Sequence, residues 1–490
     1  MTVGALTRKG FAFAGVMLLA GCASSDDIAR YSTPGSGFET VVEVTSRATG
    51  KQPVLVQNNA ETQAIHSRVS AMVRGKRISA DTAVQVALLN NKRLQAVYAE
   101  IGIAGAEAWQ QTMLPNPRVS LGVFGIGAPD LNTYRSIEGM VASNILAMAT
   151  MRSRVALADA RFRQAQLRAA EETLRLAGET RRAWINAVAA FETVAYLNQA
   201  QVTADAASEL AERLGESGAL PKAGQAREHA FFAELSGQRA QAKLAAELAK
   251  EELTRLMGLW GSDINYFVPD ALPPLPRKVA HRQAIEREAL ERRIDLQVAQ
   301  LELEARAQSQ RLTEGMRYVS DIDLLSGFEV EREREEDGTK TILTGQAEIE
   351  FVIPIFDSGK ARMRKAELSY LQAANLLAER AVNVRSEARA AAKAFSATYK
   401  IARHYRNSVL PLRTTIEEEA LLTYNGMITN TFELLADTRA KTNAALLAVN
   451  SKRDFWLADA NLVAAIYGGG AGAGSGGMTA SLVEAGGAGH

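Results

Sequence analysis

Side chains that commonly carry chemistry are few in this chain of 490 residues. It has one cysteine, Cys22, and five histidines, none with a second histidine or cysteine at metal-ligand spacing. The sequence contains no Gly-x-Ser-x-Gly motif and no glycine loop of the kind that cradles phosphate. Carboxylates are abundant, but they alternate with Arg and Lys along helical patterns, as paired surface residues do. We therefore predict that the chain is not an enzyme and holds no metal ion or cofactor.

The charge balance gives no case for nucleic acid as a partner. Lys and Arg total 56 and Asp and Glu total 55, whereas proteins that bind nucleic acid usually present a basic face. Alanine is abundant, aromatic residues make up only 6% of the chain, and prolines number 12. This composition is typical of long helices that pack closely through small residues.

Cys22 ends an N-terminal segment with the layout of a secretory signal peptide. Two basic residues precede an apolar run that is too short to span a bilayer and ends in Leu19-Ala20-Gly21-Cys22. This ending resembles the bacterial lipoprotein box, in which the cysteine is acylated. We expect residues 1–21 to be a signal peptide and Cys22 to carry a covalent lipid. Because Asp does not follow the cysteine, we favour the outer membrane. An ordinary signal peptide with a chance cysteine is the alternative.

The chain contains two repeats with one order of elements: a helix, two strands, a long helix and a final helix. An offset of 202 residues aligns Arg93 with Asp295 within these repeats. In the first repeat, residues 80–257, we predict helices at Ala80–Met113, Ala147–Glu216 and Lys222–Met257, and strands at Arg118–Gly127 and Tyr134–Leu146. In the second, residues 281–466, we predict helices at His281–Met316, Phe356–Tyr424 and Thr431–Ile466, and strands at Tyr318–Arg332 and Thr341–Pro354.

Three segments lie outside the repeats. Residues 22–79 lack clear periodicity, and we expect an extended linker that leads from the lipid anchor. Residues 258–280 join the two repeats. Residues 467–490 are rich in Gly and Ala with almost no charge, and they are expected to be disordered.

The predicted helix lengths indicate how each repeat is built. A long helix of nearly 70 residues would extend for about 100 Å. The two shorter helices of each repeat together match that length, so they can stack end to end beside the long one as a coiled pair. Such a rod lacks a compact core, and we expect it to oligomerise. Pro411 is expected to kink the second long helix.

The strands of the second repeat alternate between apolar and polar residues. One face of the later strand carries Leu343, Gly345, Ala347, Ile349, Phe351 and Ile353, and the other carries Thr344, Gln346, Glu348 and Glu350. In the earlier strand Ile322, Leu324, Phe328 and Val330 share one face, and Asp321, Asp323, Glu329 and Glu331 share the other. This pattern fits a barrel wall between lipid and water. Four strands cannot close a barrel, so several chains would have to contribute. A soluble, half-buried sheet is the alternative.

Together these features resemble the TolC family of outer-membrane efflux ducts, in its lipoprotein branch. The resemblance covers roughly residues 70–467. Its most specific pieces are Ala87-Leu88-Leu89-Asn90-Asn91 with Leu94-Gln95-Ala96, then Leu114-Pro115-Asn116-Pro117, then Pro354-Ile355-Phe356-Asp357-Ser358-Gly359. The resemblance implies a mainly α fold with a β-barrel part. It implies a homotrimer in which four strands per chain form a shared 12-stranded outer-membrane barrel, with an α-helical periplasmic tunnel.

Two kinds of turn are candidate functional sites. Pro354 can end a strand, Asp357 or Ser358 can cap the next helix, and Gly359 can relieve crowding at the bend. The first repeat lacks this motif, so we expect a smoother transition there. The glycine breaks that end the long helices would lie at the periplasmic tip, where the resemblance implies contact with an adaptor protein. Their residues are Ser217, Gly218, Ala219 and Leu220 in the first repeat and Asn425, Gly426, Met427 and Ile428 in the second.

Charged residues near these turns are candidates for a gate, although solvated helix surface is the simpler interpretation of each. They are Glu417, Glu418, Glu419, Asp437 and Arg439 near the second turn, and Arg213, Arg227 and Glu228 near the first. In the barrel, Asp321, Asp323, Glu348 and Glu350 would make an acidic lumen that favours cations.

The sequence thus predicts the outer-membrane exit duct of a tripartite export system. Its partners would be a periplasmic adaptor, an inner-membrane pump and outer-membrane lipid, in a Gram-negative bacterium. The alternatives are the outer component of a type I protein-secretion system and a periplasmic adaptor or structural lipoprotein.

Overall fold

A computed structural model describes residues 25–127, 134–218, 220–279, 284–319, 321–335, 338–425 and 431–470. The chain is mostly helical and has one four-stranded antiparallel sheet. Before the sheet come α1 Ser25–Ser32, α2 Phe38–Thr49, α3 Asn59–Val73, α4 Ala80–Asn90 and α5 Lys92–Gln111. The first strand pair and its helices are β1 Arg118–Phe124, β2 Ser136–Asn144, α6 Ile145–Ala149, α7 Met151–Glu216 and α8 Lys222–Met257.

The second repeat follows the same order. A 3-10 turn at Gly261–Ile264 lies between the repeats. The later elements are α9 Ile285–Arg292, α10 Ile294–Gly315, β3 Ile322–Glu335, β4 Gly338–Phe351, α11 Lys360–His404, α12 Leu410–Asn425 and α13 Thr431–Tyr467. A π-helical turn, Tyr405–Val409, separates α11 from α12. No helix among the described residues is both long enough and apolar enough to cross a bilayer.

The described residues divide into two compact units. The strand unit is drawn from Met1–Gly37, Glu100–Ala165 and Ala299–Leu376. Its strands pair in the order β1-β2-β3-β4. Its helical part is held by aromatic contacts such as the edge-to-face pair of Tyr31 and Phe162, whose ring centroids are 5.5 Å apart.

The helical unit is drawn from Phe38–Ala99, Gln166–Val298 and Leu377–His490. Its core is built from small and branched side chains, as the alanine-rich composition predicts. One buried cluster joins Ile285 and Ala289 of α9 to Val384 and Ala388 of α11 and to Leu462 and Ile466 of α13. The buried indole of Trp184 is hydrogen-bonded there: its Nε1–H donates to the Ile78 carbonyl at 3.0 Å.

The prediction of an extended segment at residues 22–79 is wrong for the described part, which forms α1, α2 and α3. Helix caps and tertiary packing stabilise these helices, although the sequence there shows little helical periodicity. The Asn58 side chain accepts from the Glu61 N–H at the start of α3. Val41 of α2 and Val69 of α3 are fully buried in the helical unit.

Three helices predicted as continuous are each interrupted by one residue, and the one predicted at Ala147–Glu216 breaks at Thr150. The helix predicted at Ala80–Met113 breaks at Asn91, and the one predicted at His281–Met316 breaks at Arg293. Both residues adopt extended backbone conformations, with ψ of 117° at Asn91 and 119° at Arg293. Apolar periodicity continues through both points, and the breaks depend on side-chain contacts described below.

The predicted strand bounds also change. The segment 333–340, which lies between the two strands predicted in the second repeat, belongs largely to the strands, because β3 and β4 continue to pair up to Glu335 and Gly338. Glu333 stands opposite Lys340, a pair of unlike charges that favours the longer ladder. β4 ends at Phe351 rather than Pro354, and β3 begins at Ile322, so Asp321 lies just outside it.

Near Pro411, where the sequence predicts a kink, a π-helical turn spans Tyr405–Val409 and is followed by Leu410. Proline has no N–H to donate into the helical ladder, and a π turn is one way in which a helix absorbs that loss. The predicted tail from residue 467 starts slightly early, since Tyr467 ends α13. Residues 471–490, like Cys22 and the predicted signal peptide, lie outside the described residues.

Candidate functional site

The two faces of the sheet differ in chemistry along all four strands. We call one of them the acidic face. The ladder places Asp323 opposite both Asn144 and Glu350, and Glu329 opposite both Glu138 and Thr344. Other members of the acidic face are Arg118, Ser120, Ser136, Met140, Glu331, Gln346 and Glu348. The face predicted from the second repeat therefore continues into the first, where Arg118 and Glu138 were not identified from the sequence.

The opposite side, which we call the apolar face, is exposed to a degree unusual for large aliphatic residues. Leu121 of β1 is 75% exposed and Leu343 of β4 is 71% exposed. Other apolar-face residues with exposed side chains are Val119, Val123, Val141, Phe328, Ile349 and Phe351. A contiguous exposed patch of this kind marks a surface that another apolar phase or molecule covers.

A network at one end of the acidic face holds two of the predicted lumen carboxylates. Asp323, with a side chain only 7% exposed, pairs through Oδ2 with the Arg118 guanidinium. The Asn144 amide donates to Asp321 Oδ1, and its own Oδ1 accepts from the Ala147 N–H at 2.6 Å. The same asparagine thus caps α6 and orients a carboxylate.

This network borders a cavity of about 400 Å³ whose lining includes Arg118, Asp321, Asp323 and Glu350. Asp323 Oδ1 is buried there without a hydrogen-bond partner among the described residues. Within the described part of the chain, neither Glu348 nor Glu350 takes part in an ion pair. Of the four predicted carboxylates, Asp323 therefore has a basic partner in Arg118, whereas Glu348 and Glu350 have no basic partner among the described residues.

Asp357 and Gly359 shape the turn that precedes α11, which begins at Lys360. Gly359 has φ of +72°, and its N–H donates to Asp357 Oδ1 at 2.9 Å. A Cβ at Gly359 would lie 2.9 Å from the Arg317 carbonyl oxygen, so both conformation and close approach require glycine. In the first repeat α6 begins directly after β2, with the Asn144 cap, which confirms the smoother transition expected there.

The first tip turn is described except for Ala219. Gly218 has φ of +75°, which confirms the left-handed conformation expected at this helix end. Ser217 and Gly218 are exposed, whereas Leu220 is buried. In the second turn Asn425 ends α12, and Gly426, Met427 and Ile428 lie outside the described residues.

The candidate gate residues of the two repeats meet in one ion pair. Arg439 of α13 lies 3.3 Å from the carboxylate of Glu228 of α8, whose side chain is only 5% exposed. The guanidinium also stacks 4.1 Å from the ring centroid of Phe231. Glu417 pairs with Lys441, a partner that sequence periodicity did not single out. Because both pairs are long-range, only the packing of the helices could reveal them.

The remaining gate candidates have the character of helix surface. Arg213 pairs with Glu209 one turn earlier at 2.5 Å, and both side chains are exposed. Arg227, Glu418 and Glu419 are exposed, and Asp437 is half-buried. Among the described residues, no cluster of His, Cys, Asp and Glu has the arrangement to hold a metal ion.

No protein-family model matches the sequence, and no curated protein matches it. Solved structures do match. The CmeC outer-membrane channel of Campylobacter jejuni is 17% identical with a TM-score of 0.66, over 80% of this chain and 86% of that one. The outer-membrane protein VceC of Vibrio cholerae is 15% identical with a TM-score of 0.63, over 80% and 96%.

A third match is the open state of the MtrE outer-membrane channel of Neisseria gonorrhoeae. It is 15% identical with a TM-score of 0.61, over 82% of this chain and 89% of that one. At such identities the similarity establishes the architecture alone. The chain therefore has the fold of outer-membrane channels, the fold implied by the resemblance of its sequence to the TolC family.

Proposed function

We propose that this protein is the outer-membrane exit duct of a tripartite export system. Three copies would each contribute β1–β4 to one 12-stranded barrel. The observation that carries the proposal is the two-faced sheet, with exposed aliphatic side chains on one side and carboxylates on the other. Lipid would cover the apolar face and water would fill the acidic side.

The sheet edges support a shared barrel. Within the described residues β1 and β4 each pair with a single neighbour, so both leave a row of backbone donors and acceptors open. Open edges are unfavourable in lipid, and four strands are too few to close on themselves. Pairing of β4 of one copy with β1 of the next would satisfy both edges.

The lumen would favour cations. Glu348 and Glu350 carry charge that no described basic residue compensates, whereas Arg118 offsets Asp323. Charged rings at a pore wall select ions of the opposite sign. Reversal potentials of the protein in planar bilayers would show this preference, and loss of selectivity should follow from Glu348→Gln combined with Glu350→Gln. An unchanged reversal potential would contradict the lumen assignment.

The anchor and the partners complete the proposal. A lipid on Cys22 would tether the protein to the outer membrane. The turns around Gly218 and Gly426 would meet a periplasmic adaptor, with energy supplied by an inner-membrane pump. Palmitate incorporation that is lost in Cys22→Ser would support the anchor, and incorporation that persists would exclude it.

The decisive test is the native mass of the protein extracted from outer membranes in mild detergent. We expect a trimer that dissociates to monomers only on heating. Leu343→Asp should weaken trimer assembly, because it places a charged carboxylate on the lipid-facing side of the sheet, where charged side chains are destabilising. The matched control is Thr344→Asp, one residue along on the acidic face, which should assemble normally. A monomer recovered with the inner membrane would overturn the duct and favour an adaptor or structural lipoprotein.

A further inference from the structure

The helical unit contains a cavity of about 460 Å³ that the duct function does not explain. It lies where the junction of α4 and α5 meets α7 and α8. Four guanidinium groups line it, those of Arg93, Arg175, Arg182 and Arg255. Such a concentration of arginine around one cavity raises the question of which anions balance it.

Two of the four arginines are balanced within the protein. Arg175 binds Glu172 at 2.5 Å and Glu179 at 2.6 Å. The hydrogen bond with Glu172 raises the pKa of Arg175 in spite of its partial burial. Arg255 binds Glu252 at 2.6 Å. These three carboxylates are the only acidic side chains among the described lining residues, and all of them are engaged.

The other two arginines have no carboxylate partner among the described residues. Arg182 makes only a long contact of 3.4 Å from Nη1 to Asn461 Oδ1. Burial lowers the pKa of Arg182, and the more distant charge of Glu179 opposes this only in part. Arg93 is exposed at the mouth of the same cavity and takes part in no ion pair of the described chain.

We propose that this cavity binds a small phosphate-type dianion through Arg93 and Arg182. The planar guanidinium presents paired donors that match phosphate oxygens, and two of them would balance two negative charges. The Asn186 amide lies on the same wall and can add a neutral donor. Leu94, Val97 and Leu176 line the remainder, so the organic part of a phosphoester would meet an apolar surface. This proposal stands apart from the duct function.

Isothermal titration calorimetry on the full-length protein in detergent would test the site, with inorganic phosphate and glycerol 3-phosphate as probes. We expect saturable binding of at least one of them. Arg182→Gln and Arg93→Gln should each weaken binding by about tenfold, the usual effect of losing one charge-assisted hydrogen bond. The matched control is Arg181→Gln. Arg181 is adjacent on α7 but pairs with Asp81 at 2.6 Å and does not line the cavity, so its loss should leave the Kd unchanged.

The two probes distinguish the source of the anion. Tighter binding of glycerol 3-phosphate would assign the site to phosphoesters, and equal binding would assign it to free phosphate. The absence of saturable binding of both would overturn the proposal, as would equal weakening by Arg181→Gln and Arg182→Gln. Because Arg93 is exposed, Arg93→Gln should fold normally. It therefore tests the binding site even if Arg182→Gln fails to fold.

Discussion

The two repeats reach the same helix break by different chemistry. The offset that aligns Arg93 with Asp295 also aligns Asn91 with Arg293, the two break residues. In the first repeat the break is neutral. Asn91 Oδ1 accepts from the Leu94 N–H at 3.1 Å, and its amide donates to the Leu256 carbonyl at 3.0 Å. One side chain thus starts α5 and caps the end of α8.

In the second repeat the break is ionic. The Arg293 side chain, only 7% exposed, binds Asp295 at 2.9 Å and Glu387 at 2.5 Å. Burial opposes the charge on Arg293, but Asp295 and then Glu387 outweigh it and raise its pKa. The two repeats thus keep the position of the helix break, while the side chains that stabilise the break differ. The ionic version should be more sensitive to truncation and to pH.

The largest expected effect is that of Arg293→Ala. Removing the cation leaves Asp295 buried without its partner, which should lower the free energy of unfolding by about 3–5 kcal/mol. Urea unfolding of the detergent-extracted protein, followed by circular dichroism, measures this. The control is Arg389→Ala, whose exposed ion pair with Glu286 should contribute less than about 1 kcal/mol. Equal losses in the two variants would refute the ionic account of this break.

The two repeats also differ where the strands lead into the long helix, and Gly359→Ala tests that difference. Alanine must adopt a positive φ and approach the Arg317 carbonyl, so stability should fall by about 1–3 kcal/mol. The same urea titration applies. Gly345→Ala in β4 is the matched control, because its Cβ would meet no atom within 4 Å and φ is not positive there. A loss in Gly345→Ala as large as that in Gly359→Ala would remove the case for a special turn.

Asn91→Ala should have a smaller effect than Arg293→Ala, about 1–2 kcal/mol, because only neutral hydrogen bonds are lost. The loss should not change between pH 5 and pH 8 in matched urea titrations, since no titrating group bonds Asn91. A loss that grows or shrinks across that range would show that this break is not neutral. Asn383→Ala on α11, where the asparagine is exposed, serves as the background for an asparagine substitution.

The smallest effect is expected from Glu171→Gln, beside the ionic break. Burial and then the charge of Asp295 raise the pKa of Glu171, against the opposing charges of Arg380 and Arg293. Protonation of Glu171 is therefore more favourable in the folded protein than in the unfolded chain. The penalty for ionisation is absent below the ordinary pKa of glutamate, grows as the pH rises toward the native value, and is full above it.

Glu171→Gln should accordingly raise the urea midpoint at pH 7 and leave it unchanged near pH 4. Its neighbour Glu172 bonds Arg175, so Glu172→Gln should instead lower the midpoint at pH 7. If both substitutions shifted the midpoint in the same direction, the environment of Glu171 would not differ from that of an ordinary paired carboxylate.

Short-range sequence patterns predicted much of the fold. Period-2 alternation around Leu343 and Glu350 predicted the two faces that the ladder register confirms. Glycine predicted the left-handed position at Gly218 and the crowded bend at Gly359. Extended conformation at residues 22–79 was the clearest error: the cap of α3 at Asn58 is a local signal, but packing of α2 residues such as Val44 against Leu174 and Ile294 depends on residues far along the chain.

The same distinction between sequence pattern and tertiary packing applies to the candidate site. The sequence by itself determined which residues carry charge and which face of a strand they share, because both follow from residue type and backbone period. Only the tertiary structure decided their partners: Arg118 for Asp323, Glu228 for Arg439, and the α8 carbonyl for Asn91. These contacts join residues more than a hundred positions apart in the chain. They depend on how helices and strands pack, and side-chain chemistry alone permits many other pairings of the same charges.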